Sequence, residues 1–98
     1  MDFSTIGIYE LWNMAGQPDV YMIDLRDRKD YRKNHIDGAH NLPYDEMGKW
    51  QNTLPKGKRI VLYCEHGSVS MLAAKRLAAR GYRIYTLVGG ISSLNGRI

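Results

Sequence analysis

The stretch Arg59-Ile60-Val61-Leu62-Tyr63-Cys64-Glu65-His66-Gly67-Ser68 constrains this chain more than any other. Three consecutive aliphatic residues and an aromatic, bounded by the loop Leu54–Lys58 before and Gly67 after, read as a strand covered on both faces, as in a parallel sheet. A helix follows. Met71, Ala74 and Ala78 face one way with Leu72, Ala73 and Leu77 beside them, Lys75, Arg76 and Arg80 lie on the outer side, and Gly81 ends it.

The same alternation runs through the rest of the chain. Ser4 or Thr5 can cap a helix carrying Ile8, Leu11 and Trp12 on one face, with Gly16 as its stop. Pro18-Asp19 is a turn, and Val20–Ile23 reads as a buried strand ending near Asp24. Asp27 can cap a short helix reaching Lys33, with Asp30 in the capping-box place. Asn34 is then expected in the left-handed conformation at the helix end. A turn at Ile36–Ala39 leads to a brief strand at His40–Leu42, and Pro43 opens a helix containing Met47 and Trp50. Arg83–Leu87 is a further strand, and Gly89-Gly90 precedes a short terminal helix. Strand and helix in alternation predict an α/β fold: a parallel sheet with helices on both faces.

At 98 residues, one domain spanning 1–98 is expected. There is no run of about 18 apolar residues, so no membrane span is expected. Met1–Glu10 has neither a basic region nor a long apolar stretch, which makes the cytoplasm the default location. The net charge of +4 falls partly on Arg26–Lys33, but Asp27 and Asp30 interrupt that run without an aromatic platform. A solvated helix face is expected there and no nucleic-acid partner. The positive balance would favour small anionic substrates or an acidic partner. A monomer is the default at this length.

Cys64 is the only cysteine, which excludes an internal disulfide, a cysteine-rich zinc site and a CxxC redox pair. The three histidines show no zinc spacing, and no metal or organic cofactor is expected. Cys64 stands where a buried strand meets a helix amino end. Such ends present unpaired N–H groups and partial positive charge, which favour the thiolate form of a cysteine. A short loop curling round the sulfur would add amide donors, Gly67 would allow the close backbone approach, and Ser68 and Ser70 could add hydroxyl donors. The plain alternative is a buried, inert cysteine.

Three further segments extend the pattern. Val20–Arg26 is an aliphatic strand ending in Asp-x-Arg; Asp30–Pro43 runs acidic-aromatic-x-x-Asn-His-Ile-x-Gly-Ala-x-Asn-aliphatic-Pro; and Gly81-Tyr82 is followed by Leu87-x-Gly89-Gly90-Ile91. In this order the segments resemble the rhodanese-like family over nearly the whole chain. Asn34 replaces the family's usual Gly. The resemblance implies a five-stranded parallel sheet and a six-residue active loop, here Cys64, Glu65, His66, Gly67, Ser68 and Val69, with Ser70 following. Cys-x-His-Gly-x-x-Ser resembles the loop of small single-domain bacterial thiosulfate sulfurtransferases. Many members have a basic residue at the position of Val69; those small enzymes, like this chain, do not. Asp24 and Arg26 are implied to organise the pocket.

The implied chemistry is sulfur transfer through a Cys64 persulfide, from thiosulfate or another persulfide donor to a thiol or protein thiol. Glu65 is expected at the rim, pointing to solvent. His66 could supply positive charge, though a rim role is as good a reading. His35 reads as a hydrogen-bonded turn histidine, and His40 has no role. Two other classes compete. A phosphatase or arsenate reductase needs Cys-x5-Arg, but the residue six places after Cys64 is Ser70 and the first basic residue beyond Cys64 and His66 is Lys75. A non-catalytic binding module of the same fold would not need the retained Cys64 and Gly67.

Overall fold

Side chains alternate across a strand, and Arg59–Tyr63, which forms β4, separates two cores by that alternation. Ile60 and Leu62 enter one apolar cluster, Val61 and Tyr63 the other, all fully buried. This computed structural model describes residues 2–94; Met1 and 95–98 lie outside the described residues. β4 is central in a five-stranded sheet with β1 (Ser4–Ile6), β2 (Val20–Asp24), β3 (His40–Asn41) and β5 (Arg83–Leu87). The order is β1-β5-β4-β2-β3, and every adjacent pair is parallel.

Parallel neighbours require crossovers, and these cover both faces. On one face α4 (Ser68–Ala79) and α3 (Met47–Trp50) pack Ala73, Ala74, Leu77, Met47 and Trp50 against Ile23, Ile60, Leu62 and Ile84. On the other, α1 (Ile8–Met14) and the 3-10 turn Ile91–Leu94 pack Leu11, Met14, Ile91 and Leu94 against Met22, Val61, Tyr63 and Leu87. The fourth helix, α2 (Arg28–Lys33), buries none of its residues and is a solvated helix, as its charge pattern implied. No helix among the described residues is long and apolar enough to cross a membrane.

Several local readings are corrected. Ser4 and Thr5 do not cap α1; they lie in β1, paired with Tyr85 and Thr86 of β5. Gly7 takes the cap position, its N–H donating to the Glu10 carboxylate at 3.1 Å. Trp12 is exposed; Leu11 and Met14 form the buried stripe of α1. On α4 the buried arc runs through Ser70, Ala73, Ala74, Leu77 and Ala78, which leaves Met71 and Leu72 exposed at 41% and 55%. Those spacings follow one helical stripe, and its alanines let the helix lie close to the sheet. Asp27 does occupy the cap position of α2, but its side chain makes no capping bond. Pro43 precedes a 3-10 turn, Tyr44–Glu46, that leads into α3. Asn34 is extended, at φ −166° and ψ 152°, not left-handed. Its carbonyl is thereby carried to the Arg26 guanidinium, whose Nη2 donates to it at 2.6 Å.

Leu77 is fully buried where α4 meets the sheet. Leu77→Ala is expected to lower unfolding stability by about 2–5 kcal/mol, by lost transfer energy plus a residual cavity. Denaturant unfolding with an unchanged slope would measure it.

Candidate functional site

The direction of chain connection reverses between β2 and β4: β3 lies outward of β2, and β5 lies outward of β4. Beyond the carboxyl ends of strands at such a reversal, the outgoing loops part and leave a crevice. Asp24 and Tyr63, partners in register, end the two strands there, and Cys64 follows Tyr63 directly.

Cys64 is 95% buried by the protein, at 5% exposure, yet it is not sealed in the apolar interior. It lines a cavity of about 260 Å³, together with Glu65, His66, Ser68 and Val69 of its own loop. Its Sγ accepts from the backbone N–H of Gly67 at 3.1 Å and of Ser70 at 3.3 Å. Both donors come from the amino end of α4, where the helix leaves N–H groups without internal partners. The sulfur therefore sits where negative charge would meet oriented dipoles.

Gly67 is the cap residue of α4 at φ +103°, a conformation that favours glycine. Ser68 and Val69 bring the chain round to Ser70. The hydroxyl of Ser70 does not serve the sulfur, contrary to expectation. It donates to the Gly67 carbonyl at 3.1 Å and accepts from Thr86 Oγ1 at 2.8 Å, which pins the loop to β5. Only the amide of Ser70 reaches Sγ. Ser68 lines the cavity and makes no hydrogen bond to the sulfur.

The loop is held from behind by residues that sequence reasoning left out. The Cys64 carbonyl accepts from the Ile91 N–H at 2.8 Å, and the Glu65 carbonyl from the Ser92 N–H at 3.0 Å. In a trans peptide the C=O and the following N–H point opposite ways. Fixing these two carbonyls toward Ile91–Leu94 turns the amides of Glu65 and His66 away from that turn. Gly90 makes the approach possible: a Cβ there would stand 2.5 Å from both carbonyl oxygens. The sequence signal was the Gly89-Gly90 pair after β5, legible as a motif but not as a support for the Cys64 loop. His66 touches the same turn, with Nδ1 3.2 Å from Ser92 Oγ.

Asp24 and Arg26 form the wall on the β2 side. Asp24 is fully buried and Arg26 is 8% exposed, so the arginine is not the exposed side chain of the plain reading. Arg26 Nη2 pairs with Asp24 Oδ2 at 2.9 Å, its Nε donates to Asp24 Oδ1 at 3.1 Å, and Nη1 reaches Glu65 Oε1 at 3.4 Å. Burial opposes the charge on Arg26, but the hydrogen bonds and charge of Asp24 outweigh it and hold the guanidinium pKa above its usual value. Asn41 Nδ2 donates to the carbonyls of Asp24 and Arg26 at 3.2 and 2.9 Å, another support not read from sequence. Burial pushes the Tyr63 phenol up; its hydroxyl accepts from the Ile36 N–H at 3.0 Å.

Glu65 lies at the rim with its side chain half exposed, though tied to Arg26 and not free in solvent. Val69 contributes an apolar side chain, and among the described residues Arg26 is the only Lys or Arg lining the cavity. His35 stacks on Tyr31 and bonds its carbonyl at 2.7 Å, as a turn histidine would; His40 stacks on Tyr21. Among the described residues, no group of three or more His, Cys, Asp or Glu is placed to hold a metal ion.

Comparison with known proteins gives a consistent result. A family model described as a rhodanese-like domain matches residues 8–96. A thiosulfate sulfurtransferase GlpE of Shewanella oneidensis is 30% identical over 92 residues, covering 93% of this chain and 91% of its own. One from Coxiella burnetii is 29% identical over 94 residues, covering 95% of this chain and 88% of its own. The crystal structure of a rhodanese-related protein from Thermoplasma volcanium has the same fold, with a TM-score of 0.88 at 23% identity over 97% of this chain and 93% of that one.

Asp24→Asn leaves the buried Arg26 guanidinium with only the half-exposed Glu65 carboxylate as counter-charge and is expected to cost about 3–5 kcal/mol of unfolding free energy. Glu65→Gln, at a half-exposed position, should cost less than about 1 kcal/mol; urea melts of both variants make the comparison. Gly90→Ala forces a Cβ against two backbone oxygens. It should displace the loop and slow alkylation of Cys64 by iodoacetamide at fixed pH, which timed intact-mass spectra would record.

Proposed function

The chain belongs to the rhodanese-like domain family, and from that premise we propose that it is a sulfurtransferase that carries sulfane sulfur as a persulfide on Cys64. The observation that carries this reading is the convergence of the Gly67 and Ser70 amides on Sγ at the floor of an open cavity. The relatives named thiosulfate sulfurtransferase support the same class of chemistry.

In the first half-reaction the Cys64 thiolate attacks the outer sulfur of a donor. A bond forms between Sγ and that sulfur. The donor's bond to it breaks, and the leaving group, sulfite from thiosulfate or a thiolate from a persulfide, departs with the bonding electron pair. In the second, an acceptor thiolate attacks the outer sulfur, takes it, and returns Cys64 to its thiolate. Charge balances in each step, and no external oxidant or reductant is needed. The covalent intermediate implies ping-pong kinetics.

The protein's contribution is to hold negative sulfur. Gly67 and Ser70 serve Sγ. The amides of Glu65 and His66, turned from the Ile91–Leu94 side, are the donors available to an outer sulfur. Ser68 and Val69 shape the cavity, and Asp24 with Arg26 fixes its far wall. His66 and Glu65 stand at the rim, where they meet the partner. A metal or organic cofactor has no part in this scheme.

Incubation with thiosulfate, and separately with a low-molecular-weight persulfide, should add the mass of one sulfur atom to the intact protein. Cyanide should release that atom as thiocyanate, and Cys64→Ala should show neither event. Absence of the added sulfur with every donor would overturn the reading and leave a binding module of the same fold.

A further inference from the structure

Ser92 joins the turn that supports the Cys64 loop to the imidazole of His66, which lines the cavity. In a 3-10 turn an N–H bonds the carbonyl three residues earlier. Ser93 does so, donating to the Gly90 carbonyl at 3.1 Å. Ser92 does not, because its N–H is committed to the Glu65 carbonyl at 3.0 Å. The Gly89 carbonyl is left to the Ser92 hydroxyl, which donates to it at 2.9 Å.

A hydroxyl has one proton and two lone pairs. With that proton on the Gly89 carbonyl, Ser92 Oγ can only accept from His66 Nδ1, 3.2 Å away. Nδ1 therefore carries a hydrogen, and in the neutral ring Nε2 carries a lone pair. His66 makes no second side-chain hydrogen bond and no ion pair among the described residues. The residue is exposed, with Nε2 across the ring from the Ser92 contact, and it borders the same cavity as Cys64.

Resting on the sulfur-transfer reading, we propose that His66, fixed by Ser92 as its Nδ1–H tautomer, is the base that takes the proton of an incoming acceptor thiol at Nε2. The loop amides hold sulfur that is already negative and do nothing for the acceptor, and a thiol is only a few per cent ionised at neutral pH. In this step the acceptor S–H bond breaks as Nε2 gains the proton. The acceptor sulfur bonds to the outer sulfur of the Cys64 persulfide, the bond from that sulfur to Sγ breaks, and Cys64 leaves as the thiolate with the bonding pair. The imidazolium then returns its proton to water. One thiol and one persulfide anion give a new persulfide anion, the Cys64 thiolate and a proton, so atoms and charge balance. A base works best with a pKa near the working pH, which suits an imidazole better than the carboxylates of Glu65, Asp27, Asp30 and Asp45 around the same cavity. Arg26, the remaining charged group there, is paired with Asp24 and Glu65.

Proton–nitrogen correlation spectra of the ring should show His66 as the Nδ1–H tautomer when the imidazole is neutral. In Ser92→Ala they should show Nε2–H, the form an imidazole without a partner favours, whereas Ser92→Thr keeps a hydroxyl and should keep Nδ1–H. Persulfide-loaded protein is also given either 2-mercaptoethanol, a protonated thiol, or sulfite, which at mildly alkaline pH has no proton to lose. Timed intact-mass spectra follow departure of the outer sulfur. The ratio of the thiol rate to the sulfite rate should fall about three- to thirtyfold in His66→Gln and in Ser92→Ala and be restored in Ser92→Thr; the few per cent of thiolate present without a base limits the loss. An Nε2–H tautomer in the native chain, or a ratio unchanged in either His66→Gln or Ser92→Ala, overturns the proposal. An Nδ1–H tautomer in a chain that gains no sulfur from any donor overturns the transfer reading and leaves the tautomer assignment standing.

Discussion

Two backbone hydrogen bonds, from the amides of Ile91 and Ser92 to the carbonyls of Cys64 and Glu65, determine what the loop after β4 can do. An unsupported loop would satisfy its carbonyls and amides with water in many arrangements. Here two consecutive peptide planes are fixed from one side, so their N–H groups face the other, and α4 begins in the orientation that brings the Gly67 and Ser70 amides to Sγ. The support depends on Gly90, whose missing side chain is the space the Cys64 and Glu65 carbonyls occupy. The geometry at the end of β4 is thus set by the segment after β5, the neighbouring strand.

The second fixed point is the Asp24–Arg26 pair. Ion pairs this deeply buried contribute little net stability, because desolvation offsets the attraction. Their effect is positional. Arg26 bonds Asp24 at the end of β2, the Asn34 carbonyl at the end of α2, and Glu65 in the loop after β4. One planar guanidinium with fixed donor directions therefore sets the distance between three segments that surround the cavity. The extended backbone of Asn34 is a consequence: a left-handed turn there would redirect the carbonyl that Arg26 Nη2 holds.

What the sequence made legible follows the range of the interactions. β4 was readable because burial on both faces leaves an uninterrupted aliphatic run, β5 by its β-branched and aromatic residues after the Gly81 stop, and α4 because a long helix shows its stripe. β1 was not: only Ile6 of its three residues is buried, and Ser4 and Thr5 carry a capping signature that outweighs so short a strand. Met71 and Leu72 misled because hydrophobicity marks the edge of the α4 stripe as readily as its centre, while small Ala73 and Ala74 mark the centre by fitting. Cys64 and Gly67 were visible as a local strand–loop–helix junction. The direction of the Ser70 hydroxyl, the Ile91 and Ser92 support and the Asn41 bonds were not, since each is a contact between segments distant in the chain.

The site divides its work between two kinds of atom. Groups that meet the sulfur are backbone amides, which no side-chain substitution removes and which would hold any anionic sulfur similarly. The side chains around the cavity come from the loop after β2 (Asp27), from α2 (Asp30), from the loop after β4 (Glu65 and His66) and from the turn before α3 (Asp45). Asp27, Asp30 and Asp45 make no side-chain hydrogen bond or ion pair among the described residues, so their charges can change with little effect on packing.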